Sequence, residues 1–262
     1  MEVGERAARR GATELLKWRR KITPREKGPR DLVTEADLAS QEAIYREIRT
    51  SFPHHELLGE EDPVDMQDRR VALDGYCWII DPLDGTTNFV HDLPNFSVSI
   101  GLMHAGAVIA GAVYDPLLDE MFSAGTGLGA KLNGDVIRCS NCSNLEQALI
   151  ASSFGTNVPR GSVEVARFIE VLHTSQAVRR LGSAALNLSY VAAGRLDGYW
   201  ATNVKIWDIA AGFVIASEAG VTISGLEDAE VDLYHPRFVA SATPTLHEEL
   251  KKTLKDAVRP AS

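Results

Sequence analysis

Three kinds of feature are scarce or missing in this 262-residue chain, and each absence excludes a class of protein. Only three cysteines occur, so we exclude a disulfide scaffold and expect a reducing, cytoplasmic setting. No apolar run approaches the ~20 residues that a membrane-spanning helix needs. Positive charge is not in excess, since the formal net charge is -9. Neither nucleic acid nor an anionic membrane is therefore expected as a partner.

The hydrophobic pattern changes along the chain and predicts two halves. Helical spacing predicts helices at about 3–19, 36–50, 162–174, 183–194, 207–219 and 244–257. Ser183 and Asp208 are predicted to begin helices, and Gly220 to end one. From about 76 to 140, short alternating runs predict a mostly antiparallel meander with a hairpin at Asn133-Gly134. After about 145, strands and helices alternate. We therefore predict an α+β domain over 1–145 and an α/β domain over 146–262.

The segment WIIDPLDGTTN, residues 78–88, is the most acidic and turn-rich candidate site. Its apolar start predicts a buried strand, and Pro82 prevents the regular continuation of that strand. Asp81 and Asp84 then flank a tight turn, and Gly59-Glu60-Glu61 adds further acids upstream. Carboxylate oxygens suit hard divalent cations such as Mg²⁺. The segment therefore predicts a metal site.

Two simpler readings of these residues stay open at this point. Asp-Gly-Thr-Thr-Asn is a common turn composition, and Asp208, far downstream, could be a plain helix cap. Against this, a buried strand that runs into two unpaired acids is costly unless a cation sits nearby. The backbone N–H groups and hydroxyls of Gly85, Thr86 and Thr87 offer a cradle for phosphate oxygens. Phosphate chemistry at a metal site is the favoured hypothesis.

The spacing of the two aspartates distinguishes between two phosphatase mechanisms. Phosphatases that form an aspartyl-phosphate carry their two acids two residues apart at a strand end. Here Asp81 and Asp84 are three apart, which changes the side that each carboxylate faces. We therefore favour direct attack by metal-activated water over covalent catalysis.

Several segments in order along the chain resemble the inositol monophosphatase family. WIIDPLDGTTNFVHDLPNFSVSIG and WDIAAGFVIASEAG are similar to its two signatures, and DLVTEAD, LLGEED and GSAALNLSYVAAGRLDGYW to further segments. The resemblance runs from about residue 30 to 225. It implies a layered αβαβα sandwich of the inositol monophosphatase and fructose-1,6-bisphosphatase type. It also implies a homodimer, lithium sensitivity and two or three Mg²⁺ ions per site.

The resemblance also implies roles for individual residues. The metal ligands would be Glu60, Asp81, the backbone carbonyl of Leu83, Asp84 and Asp208. Glu60 would also act in catalysis, and Thr86, oriented by Asp37, would position or deprotonate the attacking water. The N–H groups of Gly85 and Thr86 would hold the phosphate, and Lys27 lies on a loop that can complete the site. Asp62, Asp65 and Asp68 are expected to form only a solvated loop.

Substrate recognition is where the sequence departs from the family pattern. The resemblance assigns the substrate wall to Gly182, Ser183 and Ala184, together with Asp84 and Asp208. Inositol-selective members carry a glutamate at the position of Ala201. Alanine cannot accept a hydrogen bond from a substrate hydroxyl, so histidinol phosphate, fructose 1,6-bisphosphate, a nucleotide 3′-phosphate or NADP remain alternatives. A further alternative is a non-catalytic regulator that binds metal and phosphate.

Overall fold

The computed structural model describes residues 1–21, 25–28, 31–63, 75–155, 157–227 and 230–258, without the side chains of 25–28 and 31–33. The helices are α1 (Glu2–Trp18), α2 (Glu35–Ser51), α3 (Thr86–Val90), α4 (Val163–Thr174), α5 (Ala184–Ala192), α6 (Ile206–Glu218) and α7 (Pro244–Asp256), with a 3₁₀ turn at Leu145–Gln147. The strands are β1 (Arg25–Gly28), β2 (Asp31–Val33), β3 (Glu56–Gly59), β4 (Tyr76–Asp84), β5 (Ser97–His104), β6 (Ala107–Asp115), β7 (Glu120–Gly125), β8 (Ala130–Leu132), β9 (Asp135–Val136), β10 (Leu149–Ser153), β11 (Ala177–Arg179), β12 (Gly198–Ala201), β13 (Thr222–Gly225) and β14 (Phe238–Ser241).

The first large sheet has seven strands in the order β3-β4-β5-β6-β7-β8-β9. From β4 to β9 the neighbours are antiparallel, which confirms the predicted meander. Positive φ at both Asn133 and Gly134 forms the predicted turn between β8 and β9. The sequence did not predict β3, which pairs parallel to β4 and extends the sheet at its other edge.

The second large sheet has five strands in the order β11-β10-β12-β14-β13. β10 pairs parallel with both β11 and β12, because helices connect these strands in the chain. β14 then runs antiparallel to β12 and to β13. The predicted alternation of strand and helix is confirmed, and it builds a mixed sheet. A separate hairpin of β1 and β2 was not predicted.

Helices lie outside and between the two sheets and complete a layered αβαβα architecture, as expected from the sequence. α1 and α2 cover one face of the seven-stranded sheet, α5 and α6 lie between the sheets, and α4 and α7 cover the far face of the five-stranded sheet. β4 is therefore buried on both faces. Trp78 and Ile80 pack with α1 and α2, whereas Cys77 and Ile79 pack on α6. This two-sided burial explains the uninterrupted apolar run before the acidic segment.

Helix α6 lies unusually close to the first sheet. A Cβ added to Gly111 on β6 would lie 2.7 Å from the backbone oxygen of Ala211, and one added to Gly101 on β5 would lie 2.8 Å from Cβ of Ala210. These glycines therefore allow the helix backbone to approach the strands. Since α6 comes from the second half of the chain but packs on the sheet of the first, the division at 145 remains a prediction.

The ends of two predicted helices bear on the candidate site. Ser183 caps α5, its hydroxyl accepting the N–H of Leu186 at 3.2 Å, and Gly220 follows α6 with φ of 93°; both predictions are confirmed. Asp208 does not begin its helix. α6 starts two residues earlier, and Asp208 is its third residue. Among the described residues, no helix has both the length and the apolar character required to cross a bilayer.

Candidate active site

A β-bulge brings the two aspartates of the acidic segment to the same place. Asp81 pairs with Ser99 of β5, and Asp84 pairs with Ser97, so three steps along β4 match two along β5. The extra residue in β4 interrupts the alternation of side chains, so that Asp84 faces the same side of the sheet as Asp81. We expected the strand to end at Asp81, but β4 continues through Pro82 to Asp84. The proline is tolerated because it lies within the irregularity.

Two other elements bring acids to this bulge. β3 and β4 are parallel, with Gly59 opposite Ile80, so Glu60 follows directly beside Asp81 at the carboxyl ends of both strands. The N–H of Glu60 continues this pairing and donates to the carbonyl of Ile80 at 3.0 Å. The close packing of α6 delivers Asp208 from the other side. Carboxylate oxygens of Asp81, Asp84 and Asp208 lie within 4.8 Å of one another.

The electrostatics of this carboxylate cluster favour a bound cation. Burial, together with the neighbouring acids, raises the pKa of Asp81 and of Asp208 well above the ordinary value. Burial likewise raises the pKa of Asp84 to about 6, against the hydrogen bonds that stabilise its ionised form. Glu60 is close enough to raise the pKa of all three aspartates. Buried like charges at this separation are stable as anions only with a positive partner.

The donor atoms of this cluster fit a hard divalent cation. Each of the three aspartates offers a carboxylate oxygen, and among the described residues no cysteine or histidine belongs to their group within 4.8 Å. Mg²⁺ prefers such an oxygen set. Asp81 keeps one oxygen occupied by the N–H of Leu83 at 3.0 Å, and Asp208 by the N–H of Lys205 at 2.7 Å. These bonds fix the orientation of both carboxylates, which a metal site requires.

Hydrogen bonds from α5 and β5 hold Asp84 rigidly. Its Oδ2 accepts the hydroxyl of Ser183 in a very short hydrogen bond and the N–H of Ala185 at 2.9 Å. Its Oδ1 accepts the N–H of Ala184 at 3.1 Å, and Ser97 donates to Oδ2 at 3.3 Å. The start of α5 thus supports an ionised Asp84, since helix N-termini stabilise negative charge. Ser97 and Ala185 lie within segments that resemble the family, but no role was predicted for either residue.

The hydroxyl of Thr86 lies at the start of the short helix α3, beside the bulge. It donates to the carbonyl of Leu83 at 3.1 Å and lies 3.5 Å from Oδ1 of Asp37. Asp37 is fully buried, and its Oδ2 accepts both the N–H and the hydroxyl of Thr34, at 2.8 and 2.6 Å. Asp37 therefore caps α2 and faces Thr86 at once. Gly85 precedes α3 with φ of 95°, which a side chain would disfavour.

The turn of Gly182 is tied to the helix that begins at Thr86. Nδ2 of Asn88 donates to the carbonyls of Leu181 and Asn95, both at 2.7 Å. Gly182 has φ of 93°, and a Cβ there would lie 2.7 Å from Nδ2 of Asn88. The predicted substrate wall, Gly182, Ser183 and Ala184, is thus placed directly beside Asp84. The sequence pattern did not single out Asn88, whose amide joins the two halves of the site.

One expectation about the acidic loop after β3 is wrong. Asp62 is not simply a solvated loop residue, because it accepts three hydrogen bonds: from the N–H of Gly59 at 2.9 Å, from the hydroxyl of Tyr45 at 2.7 Å and from Nε2 of Gln41 at 3.0 Å. It therefore anchors the turn that presents Glu60. Asp65 and Asp68 lie outside the described residues.

Two further predicted residues, Ala201 and Lys27, lie on strands of other sheets. Ala201 ends β12 and is fully buried opposite Phe238. The segment that follows Ala201 leads to Lys205 and then to α6, so this position lies one short loop away from Asp208. The backbone of Lys27 lies in β1, and its side chain is outside the described part of the structure.

Comparison with known proteins agrees with this layered architecture of a phosphatase family. The model of the inositol monophosphatase family matches residues 1–259. The chain is 38% identical to the inositol-1-monophosphatase of Synechocystis sp. over 257 residues, covering 97% of this chain and 88% of that protein. It is also 38% identical to the fructose-1,6-bisphosphatase/inositol-1-monophosphatase of Thermotoga maritima, covering 93% and 91%. The crystal structure of the extragenic suppressor protein suhB from Bartonella henselae superposes with a TM-score of 0.90 at 34% identity, covering 98% and 99%.

The chain therefore belongs to the inositol monophosphatase family. Membership of this family supports phosphatase activity and a small phosphorylated substrate.

Proposed function

We propose that this protein is a Mg²⁺-dependent phosphatase that hydrolyses small phosphate monoesters by attack of an activated water. The observation that carries the proposal is the carboxylate cluster. Asp81, Asp84 and Asp208 come from two distant parts of the chain, are held by hydrogen bonds and lie within 4.8 Å of one another. Burial and the neighbouring acids raise the pKa of all three aspartates, as is typical of functional sites.

The acids divide between two adjacent metal positions in this proposal. Glu60, Asp81 and the carbonyl of Leu83 would hold one Mg²⁺, and Asp81, Asp84 and Asp208 a second, with Glu60 assisting a third through water. Bound Mg²⁺ would lower the pKa of a water molecule and would stabilise negative charge on the phosphate and on the leaving oxygen.

The protein's own groups would position the reactants around that site. The hydroxyl of Thr86 lies between the carbonyl of Leu83 and Asp37, so it can orient a water molecule and pass a proton toward the carboxylate. The backbone N–H groups of Gly85 and Thr86 would hold phosphate oxygens. Ser183 and Ala184 donate hydrogen bonds to Asp84, and together with Gly182 they would line the substrate side of the site.

The proposal leaves several alternatives for the alcohol that carries the phosphate. The fully buried Ala201 provides no acceptor for a polyol hydroxyl, so a sugar phosphate, histidinol phosphate or nucleotide 3′-phosphate is an alternative to inositol phosphate.

We further propose a homodimer, lithium inhibition and a cytoplasmic location, the last supported by three cysteines that form no disulfide. A non-catalytic metal and phosphate sensor would share the geometry and differ in turnover.

The test is phosphate release from a panel of monoesters, with Mg²⁺ and with chelator. The panel holds inositol 1-phosphate, histidinol phosphate, fructose 1,6-bisphosphate, a nucleotide 3′-phosphate and NADP. Mg²⁺-dependent release from at least one compound is expected. Failure with every compound, while calorimetry shows that Mg²⁺ binds, would contradict the enzyme hypothesis and favour the sensor.

A further inference from the structure

Three polar side chains meet on the far face of the five-stranded sheet, away from the carboxylate cluster. Ser224 lies on β13, and His247 and Lys251 lie on α7. The two residues of α7 are four positions apart, so they share one face of the helix. The five-stranded sheet separates this group, which we call the serine site, from α6 and its Asp208.

The hydroxyl of Ser224 is at the centre of the serine site. Its Oγ lies 2.8 Å from Nε2 of His247 and accepts a hydrogen bond from Nζ of Lys251 at 2.9 Å. The single hydroxyl hydrogen can point to Nε2 of His247 or to the carbonyl of Gly225, 3.1 Å from Oγ. When Nδ1 of His247 carries the ring proton, Nε2 is an acceptor and can take this hydrogen. Such a contact joins a serine nucleophile to its general base.

The burial of the three side chains suits these roles. His247 is only 2% exposed, so the packing between α7 and the sheet fixes its ring. Ser224 and Lys251 are half-buried, so solvent reaches both residues. The ammonium group of Lys251 stabilises negative charge that develops on Oγ, because hydrogen bonds between charged groups are strong. The serine site therefore combines an ordered base with an accessible hydroxyl.

The backbone of β13 adds a hydrogen-bond donor. β13 is the last strand in the order of the described five-stranded sheet. The N–H of Leu226 donates to the carbonyl of Arg237, and hydrogen-bonding residues alternate along an antiparallel strand. The N–H of Gly225 therefore points away from β14, toward the outer edge of the sheet. In hydrolases with a serine nucleophile, the N–H of the following residue stabilises the oxygen of the tetrahedral intermediate.

We propose that Ser224 is a second nucleophile of this protein, which accepts the acyl group of small activated esters with His247 as its general base. Oγ attacks the ester carbonyl carbon while Nε2 of His247 takes the hydroxyl hydrogen. The bond between that carbon and the leaving alcohol then breaks, and His247 returns the proton to the alcohol. The products are an ester of Ser224 and the free alcohol. The step is independent of the proposed phosphatase activity.

The experiment follows covalent labelling of the full-length protein in chelator, which removes metal from the carboxylate cluster. A fluorophosphonate probe labels activated serines, because Oγ displaces fluoride from phosphorus, and peptide mapping by mass spectrometry locates the label. Ser224 should react at least about 10²-fold faster than the exposed Ser217, since a general base contributes such a factor. A burst of p-nitrophenolate from p-nitrophenyl acetate, equimolar with the protein, should report the acyl transfer.

Four variants assign the roles. Ser224→Ala should lose both the label and the burst, and Ser217→Ala, the matched control, should keep both. His247→Gln removes the base and should slow labelling about 10²-fold. Lys251→Gln removes one charge-assisted hydrogen bond and should slow labelling about tenfold. Circular dichroism checks that each variant is folded, and Lys251→Gln alone decides if His247→Gln does not fold.

The same measurements can overturn the inference. Labelling of Ser224 no faster than that of Ser217 would show that its contact with His247 is only structural. A label that maps to another residue, or wild-type labelling of Ser224→Ala, would have the same consequence. So would wild-type rates in the folded His247→Gln and Lys251→Gln variants. None of these outcomes bears on Mg²⁺-dependent phosphate release, which is measured separately.

Discussion

Without metal, the protein should lose stability as the pH rises from about 4 to about 7. Burial raises the pKa of Asp84 from 3.8 to about 6. Between these two values the folded protein holds a proton that the unfolded chain has released, so the free energy of unfolding falls as the pH rises. It levels off above the folded pKa. A shift of about two pKa units corresponds to roughly 3 kcal/mol.

Other carboxyl groups either add to this fall in the free energy of unfolding or titrate at pH values below this window. The pKa values of Asp81 and Asp208 are raised as well, so their contributions add to the fall. The pKa values of Asp92 and Asp119 are instead lowered, by hydrogen bonds to Arg20 and Arg9 respectively. Their stabilisation is lost only as the pH falls through those lowered values, below the window. Burial also raises the pKa of Asp115, which adds to the fall, and lowers the pKa of His55, which opposes the fall near the upper end of the window. Since the cluster contributes three raised carboxyl groups against this one histidine, it should dominate the trend.

The assay is urea denaturation followed by tryptophan fluorescence, at a series of pH values in chelator and at saturating Mg²⁺. In chelator we expect a loss of roughly 3 kcal/mol or more, and a shallower loss in Asp84→Asn, which lacks one titrating group. With Mg²⁺ the trend should reverse, because the metal binds the ionised carboxylates and stabilises only the folded state. A free energy of unfolding in chelator that stays constant or rises across the window would refute the reasoning.

Three further predictions test individual contacts. Asp84→Asn should lower kcat by about 10³-fold while the far-ultraviolet circular dichroism stays unchanged; substantial turnover would remove Asp84 from the metal site. Thr86→Ala should lower kcat about 10²-fold, whereas Thr86→Ser, which keeps the hydroxyl, should retain most activity; equal losses in stopped assays of phosphate release would contradict the water-positioning role. Gly182→Ala should cost about 2 kcal/mol in urea denaturation, more than Gly161→Ala, because both have positive φ but only Gly182 has Asn88 against its Cβ position.

Some of the architecture could be predicted from the sequence because its signals are local. Apolar periodicity located α1, α2 and α4 to α7 within about two residues, and the turn residues at 133–134 located a hairpin. β3 escaped prediction because its four residues, Glu56–Gly59, include neither a β-branched nor an aromatic side chain. Its pairing with β4 depends on a partner that lies beyond residues 64–74 in the chain.

In the candidate site, too, the sequence predicts residue types but not the long-range contacts that bring them together. Asp81 and Asp84 could be identified from their residue type and neighbours. Their convergence depends on the register between β4 and β5, because only the bulge brings both carboxylates together. The role of Asp62 depends on side chains of α2 that contact it across the fold. Such contacts leave no pattern in the sequence around either partner.

The separation along the chain of the groups that hold Asp84 has a consequence for the order of folding. Asp84 and Ser183 are 99 residues apart, and Asp208 comes later still. Contacts of such high sequence separation form only after long loops have closed, so the site cannot template an early nucleus. Interactions that are absent from the transition state change the unfolding rate more than the folding rate. Mg²⁺ should accordingly lengthen the lifetime of the folded protein and leave its rate of formation nearly unchanged.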